Sequence, residues 1–119
     1  MKILVCVKEV IDPEVPVSSI DIDSNGWKFA PKQGVSTVLN GFDENAIEAA
    51  LQLKERIDDV EISVLSLGKD FSMDVIKKPL SMGCQNLFLV KDDILETSDP
   101  FIIVNVLYET INKIGPFDL

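Results

Sequence analysis

Residues 3–7 read Ile-Leu-Val-Cys-Val, an unbroken apolar run that decides the fold class. A strand with one face in water alternates apolar and polar side chains, whereas a strand covered on both faces of a parallel sheet does not. The run therefore predicts a strand buried on both faces. VEISVLSL at 60–67 and NLFLV at 86–90 carry the same signature. Helical patterns lie between and after them. Ala46, Ala50, Leu53 and Ile57 recur at spacings of four, three and four, which places them on one helix stripe. FSMDVIKKPLSMG at 71–83 predicts a second helix that Pro79 kinks or ends, with Gly83 as a left-handed C-cap. PFIIVNVLYETINKIG at 100–115 predicts a third, with Pro100 in its first turn and Gly115 closing it. Strand and helix alternating three times predict an α/β protein built on an open parallel sheet with right-handed crossovers.

Two segments break the alternation. About thirty residues separate the first strand from the first helix, where roughly two to six are usual. Within them VSSIDIDSNGWKFA holds Ser24-Asn25-Gly26 between short alternating runs, the signal of a β-hairpin excursion. Trp27 and Phe29 are expected to pack this ribbon onto the body. At the other end, Pro116-Phe117-Asp118-Leu119 reads as the start of a fourth strand, so the 119 residues are expected to be a truncated domain.

Composition narrows the function. Hydrophobic residues make up 46% of the chain, enough for one modest folded core. The formal charge of −9 gives no general attraction for nucleic acid or an anionic membrane, and both are disfavoured as partners. It does not argue against a buried nucleotide, whose phosphates meet local amides and helix ends. The chain has no histidine, which excludes histidine-based triads, metal sites and general bases within it. Cys6 and Cys84 match no metal or redox spacing, and Cys6 in its apolar run reads as a small hydrophobe. Without a disulfide framework the cytoplasm is the expected compartment. The N-terminal apolar run is too short for a signal core or a membrane span.

Motifs for chemistry are mostly absent. Ligands in open α/β sheets bind beyond the carboxyl ends of the strands. Those ends carry neither G-x-G-x-x-G nor G-x-x-x-x-G-K-[ST]. Asp92 and Asp93 after the third strand invite a phosphoryl-accepting receiver site, but the first strand's end supplies its other acids poorly, and a solvated loop is expected. Glu9, Asp12 and Glu14 are read as an exposed charged turn around Pro13. Lys8 ends an apolar strand where a ligand would sit, and the plainer reading is a stem reaching water. The helix start NGFDENAIEAALQLKERI, residues 40–57, is over-furnished. With Asp43 as N-cap, Phe42 and Ile47 form a hydrophobic staple and Glu44 favours the dipole. That account leaves Asn40 and the Gly41 backbone without a purpose.

Several stretches together resemble the electron transfer flavoprotein β subunit family. MKILVCVKEVID is similar to its first strand with a Val-Lys-x-Val-x-Asp ending, and NGFDENAIEAALQLKE to its Asn-Pro-Phe-Asp/Cys-Glu helix start. ISVLSLG resembles its second strand, LSMGCQNLFLVKDD its third-strand segment, and PFDL its Pro-Asp-Leu before a fourth strand. The resemblance implies a Rossmann-like, adenine nucleotide α-hydrolase-like fold in three α/β/α layers. Residues 1–119 would be the N-terminal portion of a single nucleotide-binding domain. It implies an electron carrier without catalytic side chains of its own. This carrier pairs with an FAD-bearing α subunit and receives electrons from acyl-CoA or other dehydrogenases. It also implies a structural AMP, with contacts mapping onto Cys6, Asn40, Gly41, Phe42, Asp43 and Leu67. Gly41 stands where the family commonly has Pro, so a looser loop is expected there. The family's phosphate-cradling Gly-Lys/Arg-Gln-x-x-Asp segment lies beyond residue 119, so AMP binding by this chain alone is expected to be weak or nil. The rival reading is a stand-alone adenine-nucleotide module of the universal stress type.

Overall fold

The structure, a computed structural model, describes residues 1–22, 29–96 and 99–119, and the side chains of all of these except 29–31. In chain order the elements are β1 (Lys2–Cys6), β2 (Glu9–Ile11), β3 (Ile20–Ile22), β4 (Phe29–Pro31) and β5 (Thr37–Leu39). There follow α1 (Gly41–Arg56), β6 (Glu61–Gly68), α2 (Met73–Ile76), α3 (Lys78–Met82), β7 (Asn86–Lys91) and α4 (Pro100–Ile114). Strands β1, β6 and β7 form a parallel sheet in that order, with Val5 opposite Val64 and Val64 opposite Leu87.

The unbroken apolar runs find different places in this sheet. β6 is central, and Ile62 to Ser66 are buried without interruption, as a strand covered on both faces requires. β1 departs from the expectation. Ile3 and Val5 are buried, Leu4 is half-buried and Cys6 is exposed, because only one face of β1 has a helix pressed against it. Cys6 is therefore not a buried hydrophobe. The core unites Ile3, Val5 and Val7 with Ile62 and Val64 of β6, Ile47 and Ala50 of α1, and Ile76 of α2. Leu65 is equally buried but stands outside that cluster, since alternation turns it to the other face of the sheet. There it shares a cleft with Ile103 and Leu107 of α4. Helices thus flank both faces, and the fold is the three-layered, Rossmann-like α/β arrangement.

The helices differ in detail from their sequence patterns. On α1 the buried residues are Ile47 and Ala50, with Ala46 exposed, so the buried stripe is turned by one position. Ile57 lies just past the last turn and is exposed. The 71–83 segment breaks into α2 and α3 at Lys77, and Pro79 sits in the first turn of α3, where it needs no amide partner. Gly83 ends α3 at φ 120°, a conformation that favours glycine. α4 starts at Pro100 behind an Asp99 cap and leaves Phe101, Val104 and Tyr108 exposed.

The excursion after β1 contains two antiparallel pairings. Ile20 to Ile22 pair with Phe29 to Pro31, and Glu9 to Ile11 pair with Thr37 to Leu39. The hairpin reading holds for the paired strands. Ser24-Asn25-Gly26, Trp27 and the side chain of Phe29 lie outside the described residues. Among the described residues no helix is long and apolar enough to cross a membrane.

Candidate functional site at the carboxyl ends of the sheet

The site grows from one residue's backbone. Val7 leaves the sheet with its amide still donating to the Leu65 carbonyl at 2.9 Å. At Lys8 the chain turns, and both main-chain groups of Lys8 are held by the start of α1. Its amide donates to Asp43 Oδ2 at 2.8 Å, and its carbonyl accepts from the Asn40 amide at 3.0 Å. The end of β1 and the first turn of α1 are thereby fixed to each other.

These bonds overturn the reading of the helix start. The N-cap is Asn40, whose side-chain oxygen accepts from the Phe42 amide at 2.9 Å while its carbonyl takes the amides of Asp43 and Glu44. Asp43 is not the cap, because its carboxylate serves the Lys8 amide instead. Phe42 is 84% exposed and forms no staple with the fully buried Ile47. Gly41 is not part of a loose loop; it is the first helical residue, and a Cβ there would meet nothing within 4 Å. Glu44 stays in the first turn and ties it to α3 through Lys78 Nζ at 2.6 Å.

The six predicted site residues divide between two clefts. Cys6, Asp43 and Leu67 line a cleft of about 550 Å³ at the carboxyl ends of β1 and β6, walled by Leu65, Ile103 and Leu107. Asn40, Gly41 and Phe42 line a second, of about 820 Å³, with Val10 and Val38 of the β2–β5 ribbon. The first turn of α1 stands between the two. Sequence reading missed the wall from α4, although the four-residue spacing of Ile103 and Leu107 marks one face of that helix. It also misplaced Glu9. That residue is on β2, half-buried, with Oε1 accepting from the Ser72 amide at 2.8 Å and Oε2 from the Thr37 hydroxyl at 3.0 Å. Asp92 caps a single 3₁₀ turn through the Ile94 amide, and Asp93 is exposed beside Lys69.

The cleft combines an aliphatic wall with three charged residues, Lys8, Glu9 and Asp43. Although Cys6 is exposed at the end of β1, partial desolvation by its neighbours raises its thiol above the usual pKa, and the Asp43 carboxylate pushes it further the same way. A thiol raised in this manner stays protonated near neutrality and forms wall, not nucleophile. Cys84 is buried and raised chiefly by desolvation. A volume of about 550 Å³ lies within the range of small-molecule sites, and the aliphatic wall of Leu65, Leu67, Ile103 and Leu107 fits the face of a purine.

Residues 30–119 match the family described as the electron transfer flavoprotein domain. The chain belongs to that family. It is 38% identical over 97% of its length to electron transfer flavoprotein subunit beta of Megasphaera elsdenii, covering 41% of that protein. It is 30% identical over its whole length to subunit CarD of the caffeyl-CoA reductase-Etf complex of Acetobacterium woodii, covering 44%. Protein FixA of Azorhizobium caulinodans is 31% identical over 97% of the chain, with 39% of that protein covered. The chain thus spans about two-fifths of the length of the curated relatives it matches. As a member of the electron transfer flavoprotein family, it carries the expected order of strand, helix start and second strand around the cleft.

Proposed function

We propose that this chain is part of a β-type electron transfer flavoprotein subunit acting in the cytoplasm. It pairs with an α subunit that carries FAD and relays electrons from acyl-CoA or other dehydrogenases to an acceptor. Residues 1–119 form part of one nucleotide-binding domain, and the cleft at the ends of β1 and β6 takes a structural AMP, weakly in this chain by itself. FAD supplies the redox chemistry when bound in the assembled pair. What this chain's residues do is bind and orient. Leu65, Leu67, Ile103 and Leu107 offer an apolar surface to the base, Cys6 closes the floor as a neutral thiol, and the Asn40–Asp43 turn fixes the helix start against β1. The observation that carries the reading is the position of this cleft, beyond the strand ends where open α/β sheets hold ligands, in a chain of this family.

The test is co-expression of the full-length parent with candidate α subunits, followed by a flavin absorption spectrum of the co-purified pair. A one-to-one complex with a flavin spectrum is expected. A parent polypeptide that binds no α subunit and retains neither flavin nor nucleotide overturns the reading.

A further inference from the structure

The second cleft, of about 820 Å³, takes no part in the nucleotide reading. Val10 and Val38 of the ribbon give it an apolar wall, and Phe42 stands beside them almost wholly in water. An exposed aromatic next to an apolar wall is the make-up of an interface anchor. Asp12, Glu14, Glu44 and Lys78 surround it. Lys78 is already neutralised by Glu44 at 2.6 Å, while the carboxylates of Asp12 and Glu14 meet no cation among the described residues. The rim is therefore left negative. A different exposed apolar surface, Phe101, Val104 and Tyr108, lies on α4, on the Leu65 face of the sheet. From the strand begun at Leu119 beside Leu4, a right-handed crossover returns to that same face. Further polypeptide of the length that the relatives have would be laid against α4. The Phe42 cleft is on the opposite face, between α1 and the ribbon, and lies outside that path.

We propose that the Phe42 cleft is a docking surface for the α subunit. An apolar side chain of that subunit enters between Phe42 and the wall of Val10 and Val38, and a neighbouring lysine or arginine meets Asp12 and Glu14. The inference rests on the reading of this chain as a β-type subunit, and adds which surface makes the pair. Apolar contact supplies the affinity, because Phe42 loses its water on docking. The two carboxylates supply selection, since a chain of net charge −9 attracts a basic segment and repels an acidic one.

The test measures the dissociation constant of the full-length parent for its α subunit by biolayer interferometry across a salt series. Phe42→Ala, Glu14→Lys and Val17→Ala are compared with the parent. Phe42→Ala should bind about thirtyfold more weakly at every salt concentration, as loss of an aromatic anchor does. Glu14→Lys should bind about tenfold more weakly at low salt, with the difference shrinking as salt rises. Val17 is as exposed as Phe42 but lies outside the cleft, and Val17→Ala should bind as the parent does. Phe42→Ala binding within about threefold of the parent overturns the docking surface and leaves the pairing of subunits intact. The AMP content of each purified pair is followed alongside. If Phe42→Ala loses AMP together with the α subunit, the side chain serves the nucleotide and the proposal falls. It falls too if Phe42→Ala keeps the α subunit but abolishes self-association of the parent, since the cleft then takes a second copy. A parent that binds no α subunit overturns the subunit reading, and this surface with it.

Discussion

Asn40 and Phe42 are two residues apart and have opposite consequences for stability. Asn40 satisfies first-turn amides from both its side chain and its carbonyl, so Asn40→Ala should cost about 1 kcal/mol. Phe42 is 84% exposed, and Phe42→Ala should change stability by less than about 0.5 kcal/mol. Urea denaturation of the two variants checks the order. A hydrophobic staple at Phe42 would reverse it. The sequence carries both candidates for the cap, Asn40 and Asp43, and either residue type is a good one. What selects Asn40 is a bond between residues 35 apart, the Lys8 amide seeking an acceptor in Asp43. Local pattern holds no trace of that demand. The surplus that sequence reasoning left at Asn40 was real, but it belonged to the cap, and the residue with an additional duty is Asp43.

At the level of elements, the strands and the alternation were legible because an unbroken apolar run followed by a 3.6-residue stripe has few other solutions. The buried face of α1 was not, because apolar residues occupy 46, 47, 49 and 50 and make a stripe too broad to locate its centre. Packing of Ile47 and Ala50 with the β1 and β6 residues of the core settles it. The start of α1 offers a sharper test. Gly41 is its first residue, nothing lies within 4 Å of an added Cβ, and no described group accepts its amide hydrogen. Asn40 before it has φ −60° and ψ 125°, the extended conformation that a following proline requires. Proline at the first helical position loses no hydrogen bond and narrows the unfolded ensemble. Gly41→Pro should therefore stabilise the chain by about 0.5–1 kcal/mol, seen as a higher urea midpoint with an unchanged slope. A lower midpoint would show that the helix begins elsewhere.

The arrangement of the whole sheet explains why the cleft sits where it does. From β1 the chain moves outward in one direction to β6 and then β7. It returns through α4 to the opposite side of β1, where the Leu119 amide donates to the Lys2 carbonyl at 3.3 Å and the Leu4 amide donates to a Leu119 main-chain oxygen at 2.8 Å. These two bonds are the pattern of a parallel pairing, with Asp118 adding a carboxylate contact to the Lys2 amide at 2.7 Å. The winding therefore reverses at β1, and an open α/β sheet parts its loops beyond the strand ends at such a reversal. The segment PFDL could be read as the start of a strand, but which edge it joins depends on the path of α4, which no local pattern encodes. Removing residues 118 and 119 tests this pairing by hydrogen exchange. The amides of Lys2 and Leu4 should lose protection and approach the rates of exposed amides, because their acceptors Asp118 and Leu119 are gone. Amides inside the β1–β6–β7 ladder, such as those of β6, should keep their protection, since their partners are untouched. Continued protection of Leu4 in the shortened chain would mean that β1 finds its outer partner elsewhere, and the reversal at β1 would then have to be abandoned as the origin of the cleft.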